Sequence, residues 1–314
     1  MPRKKSINIS MYTFIRTPES RFSNLIDYNY APNYIYDLPK TNGARLHYVD
    51  EGININGVAL CLHGNPTWGY CYRHMISSLV AAGFRVIIPD MIGFGKSDKP
   101  EQEQWHTFDR HHTIIQEFIK LLDLKNITLI CHDWGGLFGL NVVPLMPERF
   151  VRLVALNTML CVGEAMPDVW YRWLAYNNTQ PDLNIVDCLT DCGCMLDEHE
   201  KNGFNAPFPD LTYKSALRIF PSLIPDRPNQ FGAALGKNSV DFWTNSWQGQ
   251  SFVAVGTKDQ ILTNPTKDLA KMIRNCPEAM EIPEAGHFLF EQGQQIVQAA
   301  LKYFNLLPIQ EFPE

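Results

Sequence analysis

No stretch of this 314-residue sequence approaches the ~20 consecutive apolar residues that a membrane-spanning helix requires. An apolar signal core is also missing near the N-terminus, where Ser6, Asn8, Ser10 and Thr13 interrupt the hydrophobes after Arg3-Lys4-Lys5. A cytoplasmic protein with no membrane partner is therefore expected. Concentrated positive charge is lacking too: 27 lysines and arginines stand against 33 aspartates and glutamates, a net charge of −6. Phosphate backbones are held by clustered cations, so no nucleic-acid partner is expected. The one basic cluster, Arg3-Lys4-Lys5, reads as a solvated tail. The eight cysteines show no standard zinc spacing, since Cys188, Cys192 and Cys194 with His199 match none of the usual patterns. No metal is expected there. Cys61, Cys131 and Cys161 fall in apolar runs, where a free thiol behaves as a small hydrophobe. Internal repeats and low-complexity segments are absent.

Short apolar runs alternating with helical periodicity are what the chain does contain. Val58–Leu62, Arg85–Asp90, Ile127–Cys131 and Val151–Leu156 each read as strands, and a helix is expected over Phe108 to Leu122. Continuous runs of this kind suit strands of a mostly parallel sheet buried on both faces, with helices on either side. The rhythm breaks from about Thr158 to Pro228, where tryptophan, proline and short amphipathic pieces alternate, and resumes at Ser251–Val255 and Met280–Ile282. The expected organisation is a core domain of residues 1–157 and 229–314 with a helical cap, 158–228, inserted.

The strand Ile127–Cys131 runs into His132-Asp133-Trp134-Gly135-Gly136 and then a helical stretch. Strand, sharp turn and helix is the setting of a nucleophile elbow, with the glycines making room for the helix and Asp133 at the nucleophile position. Alone, the pentapeptide fits equally a glycine-rich turn with an aspartate helix cap. Its partners decide. His63-Gly64-Asn65-Pro66 ends an earlier strand, where such a fold places an oxyanion-hole loop; the donors are then the amides of Asn65 and Trp134. His287, in Glu284-Ala285-Gly286-His287-Phe288, follows the last strand as the base. Asp259 ends the penultimate strand as the acid that orients it, because the other possible acid position holds Asn157-Thr158. His132 is read as structural support.

A carboxylate nucleophile narrows the chemistry. Attack on an ester or amide gives an anhydride, with little advantage over the starting bond. Attack on a saturated electrophilic carbon gives a stable alkyl ester that water, activated by His287, then opens. The substrate is thus an alkyl halide or an epoxide. A departing halide wants fixed donors in a dry site, and the donor-only indole of Trp134 suits it, with Trp170 and Trp173 as cap candidates. An epoxide hydrolase would instead need cap tyrosines, for which Tyr171, Tyr176 and Tyr213 are available. A binding or sensor protein has no need of the full catalytic set.

These residues resemble the haloalkane dehalogenase family over nearly the whole chain. The resemblance is carried by Arg16-Thr17-Pro18-Glu19-Ser20-Arg21-Phe22, His63-Gly64-Asn65-Pro66-Thr67-Trp68, Gly93-Phe94-Gly95-Lys96-Ser97-Asp98-Lys99-Pro100, His132-Asp133-Trp134-Gly135-Gly136, Ala206-Pro207-Phe208-Pro209-Asp210, Asp259 and Gly286-His287-Phe288. It implies an α/β-hydrolase fold and conversion of a small haloalkane and water to alcohol, halide and proton, without cofactor or metal. It further implies Asp133, His287 and Asp259 as triad and Trp134 as first halide donor. The acid after the penultimate strand resembles the subfamily with a second, cap-borne tryptophan, and position in the first cap helix points to Trp173 over Trp170. One departure is Asn65: this subfamily's best-known member has glutamate there, whereas asparagine marks members whose side-chain amide holds the halide. Leu137, Phe208, Ile261, Leu262 and Phe288 are expected to line the pocket, and the protein is expected to be a monomer or weak homo-oligomer.

Overall fold

The computed structural model describes residues 12–306, so the Arg3-Lys4-Lys5 cluster and Ser6, Asn8 and Ser10 lie outside the described residues. The strands, in chain order, are β1 (Phe14–Ile15), β2 (Asn33–Ile35), β3 (Leu46–Glu51), β4 (Val58–Leu62), β5 (Arg85–Pro89), β6 (Lys99–Pro100), β7 (Ile127–His132), β8 (Phe150–Leu156), β9 (Gln250–Gly256) and β10 (Met280–Ile282). The α-helices are α1 (Arg73–Ala81), α2 (Phe108–Leu121), α3 (Trp134–Val142), α4 (Asp168–Asn178), α5 (Ile185–Asp191), α6 (Glu198–Asn205), α7 (Ser215–Ile219), α8 (Phe231–Asp241), α9 (Thr263–Met272) and α10 (Gly293–Tyr303).

Eight strands form one sheet in the order β10-β9-β8-β7-β4-β5-β3-β2, and β1 pairs with β6 in a separate ribbon. From β10 to β5 all pairings are parallel; β3 runs against both β5 and β2. The central strands are apolar at nearly every position because helices cover both faces: every residue of β4 and β7 is buried. Sequence periodicity reached these central strands but not β2 and β3. Leu46-His47-Tyr48-Val49-Asp50-Glu51 carries polar residues that a one-face-buried strand near the edge tolerates, and they mask its strand character.

Between β8 and β9 the described residues are helical or irregular. Local capping explains the short helices there. The Asn184 side chain accepts from the backbone N–H groups of Val186 and Asp187 to start α5, and Asp197 with Glu200 forms a reciprocal capping box on α6. Glu200 also pairs with the buried Arg73 of α1, tying this segment to the sheet layer. The last of these helices, α8, packs on α2 and α3. None of the helices is long and apolar enough to cross a membrane among the described residues.

Candidate active site

The turn from β7 to α3 puts Asp133 at φ 50° and ψ −121°, a conformation that L-residues adopt only under constraint. The constraint is visible. The Asp133 carbonyl accepts from the N–H groups of Gly136 (2.9 Å) and Leu137 (3.1 Å) and from Thr158 Oγ1 (2.8 Å), while Asp133 N–H donates to the Asn157 carbonyl (3.2 Å). The carboxylate itself caps nothing on α3, which removes the helix-cap alternative. Gly135 lies so close to β4 that a Cβ there would sit 1.9 Å from the Leu62 carbonyl oxygen. Gly135→Ala is therefore expected to lower stability by roughly 1–3 kcal/mol, since rigid backbone has to move. Denaturant unfolding checks this, and an unchanged midpoint would show that the elbow yields freely.

Three residues from distant loops meet the freed side chain. Asn65 N–H, in the loop after β4, donates to Asp133 Oδ1 at 2.9 Å. His287, after β10, approaches Asp133 Oδ2 with Nε2 at 3.5 Å and holds Asp259 Oδ2 with Nδ1 at 2.7 Å. The other Asp259 oxygen accepts from the backbone N–H groups of Ile261 (2.8 Å) and Leu262 (3.0 Å). His132, beside the elbow, turns away and bonds the His287 carbonyl through Nε2 at 2.9 Å, fixing that loop from below.

One participant escaped the sequence reading. Asn157 occupies the alternative acid position, and its Nδ2 donates to Asp259 Oδ2 at 2.8 Å while its Oδ1 accepts from Gly256 N–H at 2.8 Å. An amide there carries no carboxylate and so gives no triad signal. In the fold it steadies the carboxylate used instead, and its signal in the sequence was only its place at the end of a buried strand.

Burial disfavours the charged form of His287, but the Asp259 charge and the hydrogen bonds to Asp133 and Asp259 outweigh it, and the imidazole pKa lies well above its ordinary value. Burial also pushes the Asp259 carboxyl up, yet the His287 charge and the surrounding hydrogen bonds bring it below the usual carboxylate range. Part of the His287 shift comes from Asp133, so neutralising Asp133 must lower it. Asp133→Asn is expected to move the His287 titration to lower pH in imidazole NMR spectra. The imidazolium is then lost earlier as pH rises. An unmoved titration would mean that Asp133 does not influence this histidine.

Above the triad opens a cavity of about 470 Å³. Asn65, Asp133, Asp259 and His287 stand on its wall with apolar Leu137, Met166, Ile261, Leu262 and Phe288. Phe208 does not line it: this ring is buried in the core, edge-on to Phe94, because Thr17 Oγ1 anchors the preceding Pro207 carbonyl and the ring packs inward on Phe94. The seven tryptophans divide cleanly. The indoles of Trp68, Trp243 and Trp247 bond protein oxygens, and Trp105 is enclosed in the core. Trp134, Trp170 and Trp173 line the cavity, with no indole hydrogen bond to another described residue. Among the described residues, no tyrosine lines it. The Tyr171 hydroxyl donates to Asp226 (3.1 Å) and accepts from Met166 N–H (3.3 Å), and Tyr176 is exposed. Cys188 and Cys192 reach the cavity wall, whereas Cys194 is buried and His199 exposed, so these four do not converge.

Comparison with known proteins agrees with this geometry. Residues 58–294 match the family model for the alpha/beta hydrolase fold. A haloalkane dehalogenase of Psychrobacter cryohalolentis is 36% identical over 299 residues, covering 93% of this chain and 98% of the relative. Haloalkane dehalogenase 1 of Mycobacterium tuberculosis is likewise 36% identical, over 92% of this chain and 98% of its own. Among solved structures, the tetrameric haloalkane dehalogenase DpaA of Paraglaciecola agarilytica superposes with a TM-score of 0.90 at 40% identity, covering 92% of this chain and 98% of that one. A carboxylate elbow beneath an indole-lined cavity, together with these relatives, establishes that the chain belongs to the haloalkane dehalogenases, enzymes of the α/β-hydrolase fold that hydrolyse carbon–halogen bonds.

Proposed function

We propose that this enzyme works through a covalent alkyl ester on Asp133. The observation that carries the proposal is the pairing of the two carboxylate oxygens: Oδ1 rests on the Asn65 amide, leaving Oδ2 to attack. In the first step Asp133 Oδ2 bonds the saturated carbon, and the carbon–halogen electron pair leaves with the halide. In the second, His287 Nε2 takes a proton from water, which attacks the ester carbonyl carbon. The resulting oxyanion on Oδ1 is held by the amides of Asn65 and Trp134, the latter lacking an intrahelical acceptor at the start of α3. Collapse releases the alcohol and restores the carboxylate, and the proton on His287 passes to solvent. Asp259 keeps Nδ1 protonated throughout, so that Nε2 is the basic nitrogen.

The departing halide is held by the indole N–H of Trp134 and, from the segment 158–228 acting as a cap, by Trp173. Trp170 and Trp173 are three apart on α4 and share a face, but Trp170 is only 5% exposed whereas Trp173 keeps a freer edge. The Asn65 side chain assists: its Oδ1 is enclosed without a partner, which leaves Nδ2 as the end available to the halide. Each donor to an anion is worth about 1.5–3 kcal/mol, so Trp134→Phe and Trp173→Phe are each expected to weaken bromide binding by ~10–100-fold, and Trp170→Phe by much less. Fluorescence quenching by bromide measures this. Unchanged affinity in Trp173→Phe alongside a loss in Trp170→Phe would reassign the cap donor.

Incubation with 1-bromobutane, 1,2-dibromoethane and styrene oxide, measuring bromide and diol, tests the substrate class. Bromide without diol is expected, in keeping with a cavity that no tyrosine lines; diol without bromide would overturn it. We read the chain as a cytoplasmic monomer or weak homo-oligomer. Light scattering of the purified protein decides between this and the tetramer seen for the Paraglaciecola agarilytica enzyme.

A further inference from the structure

Two thiols on the cavity wall take no part in the hydrolytic cycle. Cys188 lies on α5 and Cys192 follows its last residue, with Cys192 N–H donating to the Cys188 carbonyl at 3.2 Å. That register stacks the two side chains on one face, with the Cys188 thiol beside that of Cys192. Both line the cavity and both keep partial exposure. Of the other six cysteines, Cys61, Cys71, Cys131, Cys161 and Cys194 are buried, and the partly exposed Cys276 points its thiol at the Ser251 carbonyl. Cys188 and Cys192 are thus the accessible pair.

Spacing decides what such a pair can bind. Residues four apart on a helix hold their Cβ atoms ~5–6 Å apart. A disulfide needs ~3.5–4.5 Å, so a direct sulfur–sulfur bond would unwind the last turn of α5. One bridging atom spans the gap without unwinding. The contact with Cys188, and then burial, hold the Cys192 thiol far above its ordinary pKa, which disfavours reagents that need a thiolate. Trivalent arsenic condenses with neutral thiols.

We propose that Cys188 and Cys192 form a dithiol site for trivalent monoorganoarsenicals, and that its occupation shuts the catalytic cavity. In the capture step an organoarsenic oxide loses its oxygen as water, taking the two thiol hydrogens, and two arsenic–sulfur bonds form with no change in oxidation state. The organic group then occupies the 470 Å³ cavity. The Cys192 carbonyl also lies against Gly286, where a Cβ would meet it at 1.8 Å, so displacement of this turn reaches the residue before His287. The inhibitory part rests on the assignment of this cavity as the catalytic one; the capture does not.

Phenylarsine oxide added to the folded enzyme in substoichiometric amounts is the test, with intact mass, peptide mapping and bromide release read together. The expected result is one phenylarsenic group per chain bridging Cys188 and Cys192, loss of bromide release in proportion to arsenic bound, and recovery with 2,3-dimercaptopropanol. Cys188→Ser and Cys192→Ser, each compared with its own untreated activity, should neither retain arsenic through a monothiol wash nor be inhibited. A bridge mapped to other cysteines, or retention by Cys188→Ser, overturns the site. Capture at the pair with undiminished bromide release overturns the closure while leaving the site. Because capture is read by mass, an enzyme inactive on bromoalkanes would still report on it.

Discussion

His287→Phe should release one equivalent of bromide per active site and then stop. Alkylation of Asp133 uses no proton transfer, so the attacking Oδ2 and the halide donors still act. Opening the ester needs a base at the position of Nε2, and none of the neighbours replaces it: His132 is committed to the carbonyl of residue 287, and burial, which the phenyl ring preserves, holds its pKa below the ordinary value. Loss of one member of a catalytic triad typically lowers turnover by ~10⁴-fold or more. The phenyl ring keeps the packing of the imidazole against Phe288 and His132. A mass spectrum should therefore show the alkyl group on the peptide bearing Asp133. A folded, substrate-binding variant with no adduct on that peptide would falsify Asp133 as the nucleophile.

Asp259→Asn is expected to be nearly as severe, by about 10⁴-fold in steady-state turnover, for a different reason. Four donors converge on this carboxylate: His287 Nδ1–H and the Asn157 amide at Oδ2, and the N–H groups of Ile261 and Leu262 at Oδ1. An asparagine has only one acceptor end. If its NH₂ takes the place of Oδ2, it faces two donors and drives His287 into the tautomer whose Nε2 carries the proton. If it takes the place of Oδ1, two backbone N–H groups lose their acceptor, at about 1–3 kcal/mol each. The first bromide should still appear as a burst, because the defect falls on water activation. Retention of turnover within about tenfold would remove Asp259 from the role that triad logic gives it.

The pH behaviour of His287 links the two variants. In the free enzyme it sits between two carboxylates, which favours the protonated form that cannot act as base. In the proposed cycle, esterification of Asp133 removes one of those charges and so lowers the His287 pKa at the stage where a neutral ring is required. The ester-state turnover should fall as pH drops through this lowered pKa.

Much of this site was legible in the residues because it is built from short contiguous segments. The elbow, the Asn65 loop and the ends of β9 and β10 each carry their chemistry within about five residues, and chain order alone ranks them as nucleophile, acid and base. The central strands were legible for a related reason: burial on both faces demands an unbroken apolar run. The strands β2 and β3 were not, since a partly exposed strand mixes polar and apolar residues that also fit a loop.

Contacts between segments far apart in sequence had to wait for the fold. Asn157 touches Asp259 across 102 positions, and no local pattern announces a bond of that kind. The sequence offers Trp134, Trp170 and Trp173 as halide donors and Tyr171, Tyr176 and Tyr213 as rivals, and packing puts the three indoles on the cavity wall, whereas those of Trp68, Trp243 and Trp247 are satisfied inside the protein. It likewise sent Phe208 to the core and Tyr171 to Asp226. What the residues supplied by themselves is the assignment proposed for the reacting groups and for the class of carbon they would attack, because those follow from functional-group chemistry. What the tertiary structure decided is which donors stand on the cavity wall without a protein partner, because that depends on how the whole chain packs and satisfies its other hydrogen-bonding groups.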